Sequence, residues 1–425
     1  MNILMVTNTF TPHVGGVAKS VAAFTETYRK LGHRVLVIAP EFENMPENEI
    51  DVIRVPAIQN FNGSDFPVRL PIPGYASASL DEFRPDIVHS HHPFLLGDTA
   101  LLIAASFDVP LVFTHHTMHE QYTHYVPLDS PQLKRFVIQL ATGYANLSDQ
   151  VIAPSQSLAK ILEGRGVETT IEVIPTGVDV QRMSQGNGSA IRKRMNIPSE
   201  ALVIGHTGRL APEKNLQFMA EAVAEFIDCH PKTHFLVVGE GSSRNEIECT
   251  FKNSSLNSNL HFTGSLTGQD LVDSYHAMDV FAFASKSETQ GMVLVEAMAA
   301  GVPVVALNAP GARDVITHQK NGWLIDNEDP AAFLSALKQA AFLSGEENEK
   351  LQQALNQTVE EFSMNRCAER SLALYTTLSS EQICPKETQD SLWDSALRVI
   401  EEKWKIWENI ANSAEAAFTD DTSDA

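Results

Sequence analysis

Short apolar runs and helical patterns alternate along the first half of the chain. Residues 3–7 (ILMVT) and 34–39 (RVLVIA) are apolar runs of strand length, and between them a glycine-containing loop leads into a helical pattern over 18–31. Similar strand-like runs follow at 87–89, 111–114, 151–153 and 172–175. Strands that alternate with helices and are apolar on both faces are typical of a parallel sheet. The pattern predicts one doubly wound α/β domain, which we place at residues 1–180.

The pattern restarts after a polar, glycine-bearing stretch at 176–190 (TGVDVQRMSQGNGSA). An apolar run at 201–206 (ALVIGH), a helical pattern at 217–228 and a second run at 235–239 (FLVVG) repeat the order seen at the amino terminus. The remaining elements are expected at 261–263, 280–284, 292–300, 303–307 and 322–325. We therefore predict a second α/β domain over 181–380. Two such domains facing one another would form a central cleft outside the carboxyl ends of both sheets, where folds of this class bind ligands.

The carboxyl-terminal segment 381–418 has a different pattern. Apolar residues recur there at spacings of three or four and form one helical stripe: Trp393, Leu397, Ile400, Trp404 and Trp407. The other face carries Glu401, Glu402 and Glu408 instead of a basic cluster. We therefore expect the stripe to pack against the protein's own surface and not against a bilayer. The last residues, 419–425 (TDDTSDA), are predicted to be disordered.

Composition indicates the class of protein and its compartment. Hydrophobic residues make up 43% of the 425, enough for sizeable cores, yet no uninterrupted apolar run approaches the roughly 18 residues that a membrane-spanning helix needs. The amino-terminal residues lack the basic region of a secretory signal. The 4 cysteines lie far apart without a CxxC pair, which is typical of reduced thiols and not of a disulfide or zinc framework. We expect a cytoplasmic protein, and peripheral contact with the inner face of the cell membrane stays open.

The charge balance excludes one class of partner. Against 31 Lys and Arg residues the chain has 53 Asp and Glu residues, a formal net charge of −22. Such a surface repels a phosphate backbone, so nucleic acid is not an expected partner. The same field opposes docking to anionic lipid unless basic and apolar residues are concentrated locally.

The most informative stretch is 285–301 (SKSETQGMVLVEAMAAG), where two glutamates flank a glycine and an apolar run. If Met292 opens a helix, the free amides of residues 291–293 point out of its amino end, where anions bind. Glu296 then lies about one turn on and can accept hydrogen bonds from ribose hydroxyls, while Glu288 in the preceding loop can reach hydroxyls beyond the phosphates. A nucleotide diphosphate sugar has a matching group for each of these: phosphates for the amides, a ribose for Glu296 and further sugar hydroxyls for Glu288. Taken alone, the two glutamates could equally be solvated surface acids.

Two further stretches supply cations and glycines at expected strand ends. Residues 208–215 (GRLAPEKN) place Arg209 and Lys214 after a strand, where two cations can neutralise a diphosphate leaving group. Gly15 and Gly16, after the first strand, supply a loop that a ligand can approach closely. Each feature alone is common on protein surfaces, but together they indicate a ligand that bears phosphate.

Histidines follow another strand of the first domain, in THHT at 114–117. This puts His115 and His116 at the carboxyl edge of the sheet, where catalytic groups tend to lie. Zinc binding is the less favoured alternative, because HEQYTH at 119–124 has one residue too many for the H-E-x-x-H motif and no D-x-D carboxylate pair occurs. We expect no metal site. A dinucleotide-dependent oxidoreductase is also disfavoured, because VVGEGSSR at 237–244 lacks the third glycine of that fingerprint.

Together these motifs resemble those of the retaining GT-B glycosyltransferases of family 4. The shared features are two glutamates with seven residues between them and GM after the first, the GRLAPEKN stretch, an amino-terminal GGV and a strand-following HT. The resemblance covers roughly residues 1–378. It implies two Rossmann-like domains, a nucleotide-sugar donor held mainly by the second domain, and a carboxyl-terminal helix that returns to the first.

The resemblance also implies a role for each residue. Negative charge on the departing diphosphate would be stabilised by Arg209, Lys214 and the amides of Gly291, Met292 and Val293. Glu296 would hold the ribose and Glu288 would orient the donor hexose. In the first domain, Gly16 would lie near the diphosphate and His116 would contact the sugar near the reacting carbon. Retention in this family is ascribed to front-face attack, in which the leaving phosphate oxygen takes the acceptor's proton. No protein nucleophile, no metal and no cofactor besides the sugar-nucleotide donor are therefore expected.

The acceptor is predicted from other stretches of the first domain. Residues 114–127 (THHTMHEQYTHYVP) are similar to the acceptor side of bacterial family members that transfer glucose to diacylglycerol, and 66–73 (FPVRLPIP) is a comparable apolar, proline-rich loop. Residues 133–140 (LKRFVIQL) add a small amphipathic element with Lys134 and Arg135, of the sort that an interfacial enzyme uses. The resemblance implies transfer of a hexose, with UDP-glucose as the favoured donor, to a lipid hydroxyl such as that of 1,2-diacylglycerol through an alpha-glycosidic bond.

Two alternatives for the function stay open. The net charge of −22 departs from what a lipid-surface enzyme would carry, so the first alternative is an alpha-glycosyltransferase that acts on a soluble or polysaccharide acceptor. The second is a nucleotide-sugar-binding protein, a hydrolase or an epimerase on the same scaffold, because a fold by itself does not specify a function.

Overall fold

The computed structural model describes residues 1–13, 15–46, 48–58, 68–69, 77–120, 130–286, 288–381 and 392–418. The chain divides into two compact units, one made of Met1–Pro175 with Cys367–Ala425 and the other of Thr176–Arg366. Each unit contains a parallel sheet with helices packed against it, so the α/β fold predicted from the alternating apolar runs is confirmed.

The elements are numbered along the chain. The strands are β1 (Asn2–Val6), β2 (Arg34–Pro40), β3 (Val52–Val55), β4 (Ala57–Ile58), β5 (Val68–Arg69), β6 (Ile87–Ser90), β7 (Leu111–Thr114), β8 (Gln150–Ala153), β9 (Ile171–Val173), β10 (Leu202–Thr207), β11 (Thr233–Val238), β12 (Leu260–Gly264), β13 (Val280–Phe283), β14 (Val304–Leu307) and β15 (Trp323–Ile325). The helices are α1 (Gly16–Lys30), α2 (Ser77–Phe83), α3 (Leu96–Phe107), α4 (Pro131–Leu147), α5 (Gln156–Gly164), α6 (Val180–Met183), α7 (Gly188–Arg194), α8 (Leu216–Cys229), α9 (Arg244–Asn253), α10 (Gly268–His276), α11 (Met292–Ala299), α12 (Ala312–Val315), α13 (Pro330–Ala341), α14 (Gly345–Glu361), α15 (Met364–Glu381) and α16 (Leu392–Phe418).

Strand order brings particular loops together in each sheet. In the first unit the strands lie in the order β3-β2-β1-β6-β7-β8-β9 and pair in parallel, and β4 and β5 form a separate antiparallel pair. In the second unit the order is β12-β11-β10-β13-β14-β15, again in parallel. The order reverses beside β1 and beside β10, and ligands bind at such switch points. The loops after β1, β6 and β7 therefore share one edge, and so do the loops after β10, β13 and β14.

From Cys367 onward, the helix α15 belongs to the first unit although it follows the second unit in sequence. The hydroxyl of Tyr28 on α1 lies 2.6 Å from that of Ser371 and 3.2 Å from that of Tyr375, and all three side chains are buried. The second unit accordingly ends at Arg366, which differs from the range 181–380 inferred from sequence. A contact between residues 343 positions apart cannot be predicted from the local pattern of apolar and polar residues.

The helix α16 also packs against the first unit, as the resemblance implied. It lies along α4 and α3, where the side chain of Asn409 donates to the carbonyl of Leu140 at 3.1 Å and Arg398 donates to the carbonyl of Ala105 at 3.0 Å. The helices approach closely at Gly143, where a Cβ would lie 1.8 Å from Oδ1 of Asn409. A larger residue at that position would push α16 away from α4.

The predicted role of the tryptophan stripe in this packing is wrong for the side chains that the structure describes, which do not include that of Trp393. Trp404 and Trp407 are 73% and 70% exposed, and Leu397 and Ile400 are exposed as well. The side of α16 that packs on the unit consists instead of Ile406, which lies against the core of the unit, and of smaller or polar residues: Asn409, Ser413 and Ala417. A helical period shows which residues share a face, but it does not show which face meets a neighbouring helix.

Within the described part of the chain, no helix is both long enough and apolar enough to cross a membrane. The tail 419–425, for which disorder was predicted, lies outside the described residues, and so does most of the proline-rich loop 66–73.

Candidate active site

The second unit gathers its candidate residues on two neighbouring loops. The strands β10 and β13 pair in parallel, so the loops that follow them leave the same edge of the sheet. The backbone N–H of Lys286 donates to the carbonyl of Glu213 at 3.2 Å, which joins the two loops directly. Residues 208–215, 284–286 and 288–291 therefore form one surface at the carboxyl edge of the sheet, where α/β folds bind ligands.

An ion pair connects these two loops. The ammonium group of Lys214 donates to Oε1 of Glu288, and the two side chains are only 15% and 19% exposed. Lys214 ends a short 3-10 turn, and the left-handed backbone of Asn215 (φ 54°) leads the chain into α8. Partial burial strengthens the attraction between the charges because less water screens it. The structure thus brings together the cation assigned to the diphosphate and the carboxylate assigned to the donor hexose.

The amino end of α11 supplies backbone amides beside that pair. Gly291 caps this helix of 8 residues with a left-handed backbone (φ 73°), and a Cβ there would lie 3.2 Å from the carbonyl oxygen of Gly311. The amides of Met292 and Val293 open the helix, so they have no partner within it and point out of its end. Both residues are half-buried. This helix end can bind an anion through those amides.

Two residues that sequence reasoning missed hold the loop before α11 in place. The buried side chain of Gln290 accepts a hydrogen bond from the N–H of Thr176 at 2.8 Å and donates one to the carbonyl of Thr176 at 3.0 Å. Gly311, after β14, has a left-handed backbone (φ 82°), and a Cβ there would lie 2.5 Å from Cβ of Glu288. Gln290 stood in the quoted motif, but its partner is 114 positions away, so only its polar type could have indicated it.

A buried tyrosine orients Glu296, which lies on α11. The hydroxyl of Tyr275 on α10 donates to Oε2 of Glu296 at 2.6 Å. Burial and then the negative charge of Glu296 raise the pKa of Tyr275 well above its usual value, so the hydroxyl keeps its proton and remains a donor. Sequence reasoning missed Tyr275 as well, because an isolated tyrosine in an amphipathic helix resembles an ordinary core residue. The hydrogen bond fixes the direction of the carboxylate.

Arg209 follows β10 as predicted, and it forms an ion pair within its own loop. Its guanidinium donates to Oε1 of Glu213 at 2.7 Å, and the side chains are 43% and 27% exposed. The loop starts at Gly208, whose carbonyl oxygen would lie 1.9 Å from a Cβ on Gly239. Because exposed pairs of this kind are weak, a bound diphosphate can compete with Glu213 for the guanidinium.

In the first unit, the two candidate glycines open α1. Gly15 is the N-cap residue with an extended backbone (φ −162°), and Gly16 is the first helical residue. A Cβ on Gly15 would lie 3.1 Å from Nε2 of His13, whereas one on Gly16 would meet no atom of the described chain within 4 Å. Gly16 thus leaves open space at the amino end of a helix of 15 residues, which suits the approach of a phosphate group.

The loops after β6 and β7 carry histidines that contact one another. Nδ1 of His91 lies 2.9 Å from Nε2 of His116, so one ring donates to the other. Burial, and then the nearby His119, lower the pKa of His116 to about 3, so this imidazole is neutral near pH 7. His116 is half-buried, whereas the side chain of His115 is buried at the end of β7. Of the two histidines, His116 is the one that a ligand can reach.

Two family models together match most of the chain. The model described as Glycosyltransferase Family 4 matches residues 14–182, and the model described as Glycosyl transferases group 1 matches residues 188–360. The GDP-mannose-dependent alpha-mannosyltransferase of Mycobacterium tuberculosis is 30% identical over 331 residues, which cover 76% of this chain and 84% of that protein. This chain belongs to glycosyltransferase family 4.

Another relative is similar to this chain over most of its length, and a solved structure shares the fold. The alpha-monoglucosyldiacylglycerol synthase of Streptococcus pneumoniae is 28% identical over 360 residues, 82% of this chain and 80% of the relative. The crystal structure of Anabaena Alr3699/HepE in complex with UDP and glucose aligns with a TM-score of 0.69 at 21% identity and covers 89% of this chain and 100% of that one. The predicted family resemblance and the GT-B type of fold are confirmed.

The stretches predicted to lie on the acceptor side of this family 4 glycosyltransferase are described in part. Residues 121–127 lie outside the described residues, and before them Glu120 pairs with Arg165 at 2.8 Å. Of the two basic residues predicted for an amphipathic element, Arg135 on α4 donates to the carbonyl of Ala417 at 3.1 Å, and Lys134 is exposed. Within the described residues, no group of three or more His, Cys, Asp or Glu side chains is arranged to hold a metal ion.

We expect the thermal stability of this family 4 glycosyltransferase to fall as the pH is lowered from about 7 to about 5. Burial lowers the pKa of His89, His115 and His116 from 6.5 to about 3. Unfolding restores the ordinary value, so below pH 6.5 the unfolded chain binds more protons than the folded one. Stability present above that pH is lost progressively as the pH falls toward 3. Circular dichroism melts across the pH range measure it.

The matched control is His89→Gln, which keeps polar atoms near the hydroxyls of Thr114 and Tyr375, 2.7 Å and 2.6 Å from the imidazole nitrogens. Because glutamine does not titrate, we expect the variant to take up about one proton fewer on unfolding. A pH slope identical to that of the unmodified protein would contradict the assignment of His89 as a buried neutral group.

Proposed function

We propose that this glycosyltransferase transfers glucose from UDP-glucose to a hydroxyl of a lipid such as 1,2-diacylglycerol, with retention at the anomeric carbon and without a metal ion. The observation that carries the proposal is the ion pair of Lys214 and Glu288 beside the amino end of α11. A cation and a set of helix amides at one sheet edge suit a diphosphate, and a carboxylate next to them suits the hydroxyls of the attached sugar.

The donor is bound by the second unit in this proposal. The ribose hydroxyls donate to Glu296, whose direction is fixed by the hydroxyl of Tyr275 at 2.6 Å. The diphosphate lies against the amides of Met292 and Val293, and Arg209 adds a second cation. In that position, hydroxyls of the hexose donate to Glu288. The left-handed Gly291 allows the phosphate to come close to the backbone.

Bond breaking and bond making take place on the same face of the sugar. The bond between the anomeric carbon and the diphosphate oxygen breaks, and a bond to the acceptor oxygen forms through an oxocarbenium-like state. The acceptor's proton passes to the leaving phosphate oxygen, so the products are UDP and an alpha-glycoside. Lys214 and the α11 amides stabilise the charge that grows on the diphosphate. In the first unit, the neutral imidazole of His116 can exchange hydrogen bonds with a hexose hydroxyl.

The lipid acceptor is supported by similarity. The Streptococcus pneumoniae relative, whose name describes synthesis of a glucosyl diacylglycerol, aligns over 82% of this chain. The stretch 114–127 resembles the acceptor side of such enzymes. We place the enzyme in the cytoplasm, in peripheral contact with the inner face of the membrane that holds its acceptor.

A second candidate is transfer of mannose from GDP-mannose, and the relative from Mycobacterium tuberculosis favours it. That protein is 30% identical to this chain, and its name gives GDP-mannose as the donor. The ribose and diphosphate contacts proposed above are common to both donors. The base and the hexose therefore have to be identified by experiment.

The test is release of nucleoside diphosphate from UDP-glucose, UDP-galactose, UDP-N-acetylglucosamine and GDP-mannose, each with and without diacylglycerol in mixed micelles and in the presence of a chelator. We expect UDP release from UDP-glucose that depends on the lipid, and a glycolipid whose anomeric proton indicates the alpha configuration. Release of nucleoside diphosphate that does not depend on the lipid would indicate a soluble sugar as the acceptor. Release from GDP-mannose alone would favour the second candidate. Donor binding without release of nucleoside diphosphate would overturn the transferase assignment.

A further inference from the structure

The exposed face of α16 has no part in the proposed transfer. Leu397 and Ile400 are 54% and 61% exposed, and the two tryptophans that follow are exposed still further. All four lie on the side of the helix opposite to Asn409, which bonds to Leu140 of α4. Contiguous apolar surface of this kind marks an interaction site.

The apolar face of α16 repeats every seven residues. Leu397, Trp404 and Ala411 are seven apart, and Ile400 and Trp407 fall between them, so the spacing alternates between three and four. This is the a and d pattern of a coiled-coil seam, whose partner is a second helix with the same repeat. We call these five residues the α16 seam.

Charges along the α16 seam favour a second helix over a lipid surface. One border carries Glu401, Glu408 and Glu415, and the other border carries Lys403. Three carboxylates against one ammonium group oppose docking on anionic lipid, and so does the formal net charge of −22.

The same charges select one orientation of a helix pair. In a parallel pair, Lys403 lies at a g position and faces Glu408, at the following e position, on the other helix, and two-fold symmetry makes this contact twice. In an antiparallel pair, the border with Glu401 and Glu408 would lie against its own copy. Like charges would then meet, which costs free energy.

We propose that α16 pairs with α16 of a second copy of this chain in a parallel, two-fold symmetric coiled coil. The pair removes Trp404 and Trp407 from water, which drives the association. Because α4 and α3 hold the opposite side of α16, the seam is presented by a helix that is already ordered, and its pairing does not require α16 to leave the unit. The pairing does not depend on which donor or acceptor the enzyme uses.

Sedimentation equilibrium of the full chain tests the proposal over about 0.1 to 100 μM. We expect a dimer in this range, and we expect Trp404→Glu to raise the dimer Kd at least about a hundredfold while the circular dichroism spectrum stays unchanged. The matched control is Ile50→Glu, which changes another exposed apolar residue of the first unit, 79% exposed, and should leave the dimer intact. A monomer at the highest concentration, or a Trp404→Glu variant that remains dimeric, would overturn the pairing.

A charge exchange tests the orientation. We expect Lys403→Glu and Glu408→Lys each to raise the dimer Kd about tenfold, because each single change places like charges together, and we expect the double variant to return to within about threefold of the original Kd. Failure of the double variant to recover would overturn the parallel arrangement. If the wild-type chain is a monomer and binds phosphatidylcholine vesicles through Trp404, the partner is a lipid surface and the proposal is wrong.

Discussion

Replacement of Lys214 by alanine should lower kcat/KM for the sugar nucleotide by about a hundredfold to a thousandfold, the loss that follows removal of one preorganised group from a developing negative charge. Lys214 bonds to Glu288 in a pair whose side chains are 15% and 19% exposed. Its removal takes a cation from the diphosphate and leaves a partly buried carboxylate without its counterion. Steady-state release of nucleoside diphosphate under the conditions that give turnover is the measurement. We expect kcat to fall more than KM rises, because the charge grows during the reaction.

The second unit offers a matched control for this change. Lys286 pairs with Glu328 at 2.6 Å, but these side chains are 55% and 46% exposed. Lys286→Ala removes the same kind of pair from an exposed position and should leave kcat/KM within about twofold, because exposed pairs contribute little. If Lys214→Ala kept the turnover of the Lys286→Ala variant, Lys214 would not act on the leaving group.

Replacement of Glu296 by alanine should weaken binding of the nucleoside diphosphate by about tenfold to a hundredfold. Hydrogen bonds to a charged partner contribute about 1.5–3 kcal/mol, which corresponds to that range in Kd. Isothermal titration with the diphosphate that serves as leaving group measures the change. We expect kcat at saturating donor to fall less than it does in Lys214→Ala, because the ribose contact is made in the ground state and in the transition state alike.

Two further variants separate the ribose contact from a general effect of charge. Tyr275→Phe keeps the shape of the side chain and removes the hydroxyl that lies 2.6 Å from Oε2 of Glu296, so we expect a smaller loss of affinity, of about threefold to tenfold. Glu225→Ala removes an exposed carboxylate from α8 and should leave Kd unchanged. Equal affinity for the Glu296→Ala and Glu225→Ala variants would exclude Glu296 as the ribose ligand.

The two α/β sheets could be predicted because their cause is local. Each buried strand needs an uninterrupted apolar run, and each covering helix needs apolar residues that repeat about every 3.6 positions. The order of strands and helices can therefore be predicted from the sequence. The types of residue at the site were predictable for the same reason. The sequence shows a glycine before a helix, a carboxylate one turn into it and cations after a strand. The groups that such residues can bind depend on their type and local position and can therefore be predicted before the fold is known.

The sequence did not predict which side chains contact one another, because these contacts join residues that are far apart along the chain. The pairing of Lys214 with Glu288 spans 74 positions, and that of Gln290 with Thr176 spans 114. The first follows from the order of strands in the second sheet, which places the loops after β10 and β13 side by side. The second joins the loop after β13 to the segment between β9 and α6.

The carboxyl-terminal helix shows most clearly what the local spacing of residues predicts and what only tertiary packing decides. Spacing alone identified α16 and its tryptophan stripe, because the helical period acts between residues three and four apart. Spacing did not determine that the opposite face would be buried. That choice depends on Gly143, where the absence of a side chain on α4 admits Asn409, and so Trp404 and Trp407 face the solvent. Periodicity is a property of one segment, whereas burial is a property of two surfaces that fit each other.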